Sequence, residues 1–258
     1  MKREALGAAG IAAIAAVVLP LLDGGPPIVF AYPNCPVDPN YYAFQYATKG
    51  YKGQFGWLYT FVPSVPDYNN DFSLSHLYSF TPRDSPSQPI FQHGDWFVEV
   101  GWYQGYGTQL IAYPYPRYYT AKQDSTWSYT ELNFGEAVRN THVDYEIQYV
   151  GYDYGNNRYK WSVYADNLGS PLQTWEHKDM ATGVPSTGGE VNEFANSGTQ
   201  MRTDVIPNHQ LKDSNGNWNN WTPSYMTSQS DSTSACDDLS FTFTWDAQYQ
   251  DFRVTGSR

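Results

Sequence analysis

The chain has 258 residues, of which 17% are aromatic and only 16% are charged, and its formal net charge is −11. A chain this acidic, with no basic stripe, repels nucleic-acid phosphates and anionic lipid surfaces, so nucleic acid is not expected as a partner. Aromatic residues favour strands, and 21 glycines and 17 prolines supply turns. Composition therefore predicts an all-β domain, either a sandwich or a barrel.

The first 31 residues have the features of a signal peptide. A basic pair precedes an apolar run at 5–22, and residues 29–31 (Val-Phe-Ala) fit a small-residue cleavage site. The alternative is a retained membrane anchor, because the apolar run is close to the lower length limit of a membrane span. Pro20, inside that run, favours cleavage. We expect residues 32–258 to be secreted as a single domain, with no stable membrane association after signal cleavage.

Short apolar runs bounded by turn residues recur along the rest of the chain, whereas no apolar stripe at helical spacing does. They predict strands at 54–62, 74–80, 95–103, 117–123, 143–152, 158–165, 189–194, 239–245 and 251–255. A turn near Gly155 and Asn156 predicts that two of these strands form a hairpin. No repeat of fixed period and no linker interrupts the series. The sequence thus predicts an all-β fold, one antiparallel β-sandwich of the jelly-roll or concanavalin type.

The chain has two cysteines, Cys35 and Cys236. An even count in an exported chain predicts a disulfide, which would tie the new N-terminus to the last strands. The alternative is a pair of buried, unpaired thiols.

The sequence contains no metal or cofactor motif. The five histidines (residues 76, 93, 142, 177 and 209) are scattered, and none pairs at the spacing of a metal-binding helix. DSNGN at 213–217 begins like a calcium loop but lacks glycine at the sixth position and glutamate at the twelfth, so a tight turn is predicted there. There is no G-x-S-x-G elbow to support a serine nucleophile. We therefore expect neither a metal nor an organic cofactor.

Glu99 stands in the middle of a predicted strand, FVEVGW. Alternation puts Phe97, Glu99 and Gly101 on one face and three apolar residues on the other, which is the core face. An aromatic ring, a carboxylate and a glycine together suit the lining of a groove, and Gly101 is expected to leave room there for a ligand. Glu190 follows two glycines in a similar stretch, TGGEV. The alternative is that both glutamates are ordinary surface residues of strands.

Four short segments share an order with a known family. They are FVEVGWYQG at 97–105, PRYYTA at 116–121, TGGEV at 187–191 and GTQM at 198–201. In this order they resemble segments of the neprosin domain, a family of secreted glutamic peptidases built as an antiparallel β-sandwich. The resemblance implies that Glu99 and Glu190 are the catalytic pair, that the substrate is a polypeptide, and that cleavage follows proline.

A pair of carboxyls in one cleft can hydrolyse a peptide bond. An ionised carboxylate takes a proton from water, while a protonated carboxyl donates to the carbonyl oxygen or to the leaving amine. Two close carboxyls do not readily both ionise, so activity is expected at acidic pH. Which glutamate is acid and which is base stays open. Substrate contacts are expected from Gln200, which could orient a water or stabilise an oxyanion, and from the aromatic rings of Tyr113, Tyr115, Tyr118 and Tyr119.

The sequence therefore predicts a secreted, monomeric glutamic endopeptidase of the neprosin type. Core packing is the alternative role for the four tyrosines, and a polar turn is the alternative for Gln200. Two other functions stay open. One is a non-catalytic extracellular module whose tyrosines bind carbohydrate or peptide, and the other is a glycoside hydrolase, for which no pattern in the sequence argues.

Overall fold

The fold is taken from a computed structural model. The structure describes residues 40–47, 49–69, 71–81, 96–106, 111–124, 129–166, 169–192, 200–221, 226–230, 240–246 and 251–257. The predicted signal peptide at 1–31 and both cysteines, Cys35 and Cys236, lie outside these residues, so cleavage and the disulfide stay predictions.

The described part of the chain consists of strands and connecting turns. The strands are β1 (Asn40–Ala47), β2 (Gly53–Tyr59), β3 (Phe72–Thr81), β4 (Trp96–Tyr106), β5 (Ala112–Gln123), β6 (Tyr129–Glu136), β7 (His142–Asp153), β8 (Arg158–Ala165), β9 (Gln173–His177), β10 (Val184–Asn192), β11 (Met201–Lys212), β12 (Trp218–Asn220), β13 (Met226–Ser230), β14 (Ser240–Asp246) and β15 (Asp251–Ser257). No helix among the described residues has the length and apolar character to span a membrane.

The strands form two antiparallel sheets. The first has the order β13-β1-β10-β3-β4-β5-β6, and the second has the order β14-β15-β11-β2-β7-β8-β9, with β12 paired to β11. The predicted all-β antiparallel sandwich is thereby confirmed. β10 follows β9 in the chain but inserts between β1 and β3, so residues far apart in sequence become neighbours in the first sheet.

A core of large apolar side chains lies between the sheets. The first sheet contributes Val98, Val100 and Trp102 from alternate positions of β4, and the second contributes residues such as Ile147 and Trp161. Burying side chains of this size contributes roughly 1.5–3 kcal/mol each. The Trp161 indole donates a hydrogen bond to the Met180 carbonyl oxygen at 2.7 Å, so its polar group is satisfied inside the core.

Two predicted turns are found where the sequence placed them. The β7–β8 hairpin turns at residues 154–157, where Asp153 Oδ1 accepts hydrogen bonds from the backbone N–H groups of Gly155 and Asn156. In the 213–217 turn, Asp213 Oδ1 accepts from the backbone N–H groups of Asn215 and Asn217. Side-chain oxygens used in this way stabilise tight turns.

Candidate active site

One face of the first sheet points away from the core between the sheets, and we call it the outer face. Cross-strand register assigns its residues, because side chains directly opposite each other lie on the same face. The outer face carries Phe72, Leu74, His76, Tyr78 and Phe80 of β3, Phe97, Glu99, Gly101 and Tyr103 of β4, Tyr119 and Ala121 of β5, Tyr129, Glu131 and Asn133 of β6, and Ser186, Gly188 and Glu190 of β10. It is therefore an aromatic surface that holds three glutamates and one histidine.

Glu99 is fixed through both its backbone and its side chain. Its carbonyl oxygen accepts a hydrogen bond from Thr120 Oγ1, which in turn accepts from Trp175 Nε1 at 2.9 Å. The Glu99 side chain lies on the outer face, where its Oε2 atom is 2.9 Å from His76 Nδ1. Only 6% of Glu99 is exposed. The carboxyl is thus held in one orientation within a largely dry setting.

His76 joins Glu99 to a buried phenol. His76 Nδ1 is also 2.9 Å from the Tyr119 hydroxyl oxygen, and both residues are almost fully buried. Burial raises the pKa of Tyr119 well above its usual value, and the nearby charges of Glu99, Glu190 and Glu131 raise it further. Tyr119 therefore stays protonated at neutral and acidic pH.

Glu190 lies on the outer face at the opposite side of His76 from Glu99. In the ladder, Glu190 pairs with Leu74, whereas Glu99 pairs with Tyr78. The two glutamates are thus two strands and four residues apart, which in a flat sheet separates their Cα atoms by about 16 Å. His76 occupies the middle of that diagonal. Because both carboxylates raise the pKa of Tyr119, they act on one electrostatic environment.

Gly101 has a different role from the one expected. A Cβ at this position would lie 2.0 Å from the Ser75 carbonyl oxygen and 2.8 Å from the His76 Cα. The expectation that Gly101 leaves room for a ligand is wrong, because the neighbouring strand β3 takes that space. The glycine is needed so that β3 can approach β4 closely and bring His76 against Glu99.

A third glutamate, Glu131, lies across a small residue from Glu99. Both glutamates pair with the same residue of β5, Ala121, which lies opposite Glu99 on one side and opposite Glu131 on the other. Glu131 accepts hydrogen bonds from the Tyr129 hydroxyl at 2.9 Å and from Asn133 Nδ2 at 3.0 Å. These donors lie on the same strand and the same face, and they hold its carboxylate on the outer face.

The residues predicted to contact substrate fall into different places. Tyr119 lies on the outer face but is buried behind His76, and Tyr113 packs edge-on against Tyr103 at the same face. Tyr115 is exposed, with Arg139 stacked over its ring. Tyr118 lies in the core between the sheets, and its hydroxyl accepts a hydrogen bond from the Val138 N–H. It therefore has the packing role, not the contact role.

Gln200 is not brought to Glu99 by any contact within the described part of the chain. It is exposed, it directly precedes β11 of the second sheet, and its backbone N–H donates to the Ser64 carbonyl oxygen at 2.8 Å. This placement is the one expected of a polar turn residue.

His76 and Glu131 are site residues that sequence reasoning missed. A signal was present in both cases. In FSLSHLYSF, His76 alternates with Leu74 and Tyr78, which lie on the outer face. In YTELNF, Glu131 alternates with Tyr129 and Asn133. What the sequence did not supply was the strand register that sets His76 beside Glu99.

Among the residues that the structure describes, no group of three or more histidines, cysteines or acidic residues could hold a metal ion.

Comparison with known proteins gives fold likenesses at low identity. No protein-family model matches the chain, and no curated protein matches it. Among solved structures, SCP-B, an eqolisin-family peptidase in complex with the tripeptide Ala-Ile-His, aligns with 84% of this chain and 97% of its own, at 7% identity and a TM-score of 0.45. A polysaccharide lyase of family 18 aligns with 85% of this chain and 70% of its own, at 7% identity and a TM-score of 0.27. Likeness at this level carries no argument about function.

Proposed function

We propose that this chain is a secreted glutamic peptidase of the neprosin type, which hydrolyses peptide bonds at acidic pH with Glu99 and Glu190 as its catalytic carboxyls. One observation carries the proposal. The two glutamates lie on the same face of one sheet, the face that does not form the sandwich core, and their charges converge on the same buried phenol, Tyr119. Glu99 in particular is only 6% exposed, which is not the setting of an ordinary surface glutamate.

The spacing of the two glutamates favours a substrate between them. Carboxyls that flank His76 across two strands leave room for a peptide group and the attacking water, whereas a direct shared proton needs contact. One carboxylate takes a proton from the water as its oxygen attacks the carbonyl carbon. The other carboxyl gives its proton to the leaving nitrogen as the C–N bond breaks. Because one carboxyl must be protonated, cleavage belongs to acidic pH.

The preference for proline is part of the same proposal and rests on the family resemblance. The outer face offers aromatic rings for a pyrrolidine ring to pack against, and the half-buried Tyr113, set edge-on to Tyr103 with ring centroids 5.7 Å apart, is the best placed of the predicted tyrosines.

The test is peptide cleavage by the exported protein. A library of proline-containing peptides is incubated between strongly acidic and neutral pH with the wild type, Glu99→Gln and Glu190→Gln, with Glu136→Gln as the matched control. Glu136 lies at the exposed end of β6. We expect cleavage by the wild type and by the control at acidic pH, loss of most cleavage in both site variants, and no effect of a metal chelator. Equal cleavage by all four proteins, or cleavage by none, would remove the peptidase.

A non-catalytic binding module is the second candidate, and one observation favours it. Tyr154, in the β7–β8 turn, is 87% exposed, and its ring lies edge-on to Tyr152 at 5.0 Å between centroids. Exposed tyrosines stack on sugar and proline rings. Binding to polysaccharide or proline-rich peptide that Tyr154→Ala abolishes, in a protein without hydrolytic activity, would favour this function.

A further inference from the structure

We propose that Glu99 is the general base and Glu190 the general acid of this site, and that His76 is the positioning residue that fixes these roles by donating Nδ1–H to the Glu99 carboxylate. The inference rests on the proposed peptidase and adds what the glutamate pair alone leaves undecided.

The first step is the hydrogen-bond geometry at one nitrogen. His76 Nδ1 lies 2.9 Å from Glu99 Oε2 and 2.9 Å from the Tyr119 hydroxyl oxygen. If Nδ1 carries a proton, both oxygens can accept from it, and the carboxylate accepts the stronger, charge-assisted share. If Nδ1 carries a lone pair, the two oxygens must compete to donate to it. The protonated Nδ1 satisfies both contacts at once.

Burial raises the free-energy cost of a mismatched hydrogen bond among these three residues. His76 and Tyr119 are 2% and 1% exposed, and the Glu99 side chain is 7% exposed. A polar contact that is mismatched in such a place costs about 1–3 kcal/mol, because water does not compensate for it. A protonated Nδ1 that donates to both oxygens is therefore favoured, and its hydrogen bond to Glu99 is strongest when Glu99 is a carboxylate.

Glycines on both neighbouring strands leave space for the His76 imidazole. His76 pairs with Gly101 on β4 and with Gly188 on β10, so no side chain stands beside it at its own level on either neighbouring strand. Its backbone carbonyl oxygen accepts a hydrogen bond from Thr187 Oγ1 at 3.2 Å. No side chain therefore separates the His76 ring from Glu99 at this level, and the His76 backbone is held in place.

The role assignment follows from the hydrogen bond between His76 and Glu99, which leaves Glu190 as the acid. An ionised Glu99 accepts the proton of the attacking water, whose oxygen forms the new bond to the carbonyl carbon. Glu190 is half-buried on the other side of His76 and gives its proton to the leaving nitrogen as the C–N bond breaks. The products are a carboxylic acid and an amine. Glu99 then returns its proton to solvent and Glu190 regains one, so the atoms balance as the addition of one water.

Three substitutions at His76 separate positioning from simple filling of space. In His76→Asn the amide nitrogen replaces Nδ1 at nearly the same distance from the backbone. His76→Gln places its amide near the position of Nε2, and His76→Leu removes the donor but keeps the bulk. We expect Asn to retain kcat within about tenfold of the wild type. Gln and Leu should lose about 10²-fold or more in kcat with little change in KM, as the loss of a residue that orients a catalytic base does. Thermal melting of each variant checks that it folds.

A second measurement does not depend on turnover. Nitrogen-15 NMR of the imidazole, assigned with the His76→Asn variant, reports which ring nitrogen is protonated. We expect a protonated Nδ1 in the wild type, either alone or within an imidazolium, since both forms donate to an ionised Glu99. A proton on Nε2 alone would overturn the assignment, and so would equal kcat values in the Asn and Leu variants. If the wild type cleaves no peptide, the peptidase itself fails, and the base role of Glu99 fails with it.

Discussion

His76 and His209 are both buried, but only His76 faces a carboxylate. The His209 ring packs against Trp221 with ring centroids 4.2 Å apart, and burial lowers the pKa of His209 from 6.5 to about 3. The folded protein therefore keeps His209 neutral in acid, where the unfolded chain would protonate it. A protein proposed to work at acidic pH carries at this position a residue that opposes acid stability.

The shifted pKa of His209 makes stability depend on pH, and proton linkage fixes the sign of that dependence. Between pH 6.5 and about 3 the unfolded state binds the extra proton, so the free energy of unfolding falls as the pH falls through this window. The full effect is at most about 5 kcal/mol. We expect His209→Phe, which cannot titrate, to lose less stability than the wild type between pH 7 and pH 4. Urea unfolding at both pH values measures it.

The comparison has an internal control, because at pH 7.5 His209 is mostly neutral in the folded and the unfolded chain alike. Any difference between wild type and variant there comes from packing against Trp221 and is subtracted. Parallel pH dependences for the two proteins would show that His209 is accessible to protons in the fold.

At the scale of elements, the pairing of β3 with β4 builds the site. Gly101 permits that pairing, since a Cβ there would collide with the Ser75 carbonyl oxygen. We expect Gly101→Ala to lower the melting temperature by several degrees, because relieving a backbone collision costs about 1–3 kcal/mol and each kcal/mol shifts the transition by about 2–4 °C in a domain of this size.

Gly135→Ala is the matched control. Gly135 also lies in a strand of the same sheet, but an added Cβ would meet nothing within 4 Å. Its melting temperature should stay within about 1 °C of the wild type. If both substitutions cost the same, the close approach of β3 and β4 is not what Gly101 provides.

The strands could be predicted from the sequence where apolar and polar residues alternate without interruption. β7 and β8 were found within a residue or two because their alternation is regular and their turn is explicit. β11 was missed, since Pro207 breaks its pattern at a bulge between Ile206 and Gln210. β5 starts at Ala112, earlier than predicted, because its two prolines near the N-terminal end do not prevent pairing with β4 there.

At the scale of the whole molecule, the site depends on a sheet order that no local pattern contains. The alternation in FVEVGW correctly separated Glu99 from the core face, and the two glutamates do share one face. The insertion of β10 beside β3, which places His76 between Glu99 and Glu190, is a long-range pairing, so the sequence could name the glutamates but not the residue between them. Register decides such contacts, and register is a property of the folded sheet.

The central claim is that Glu99 and Glu190 act together in one hydrolytic step. It is tested most directly by kcat/KM for cleavage of one proline-containing peptide by the wild type, Glu99→Gln, Glu190→Gln and the double variant, all at the acidic optimum. We expect each single variant to lose about 10²–10⁴-fold, and the double variant to lose no more than the worse single variant, because groups that act in one step are not additive. A single variant as active as the wild type, or a double variant whose loss is the product of the two single losses, would contradict the claim.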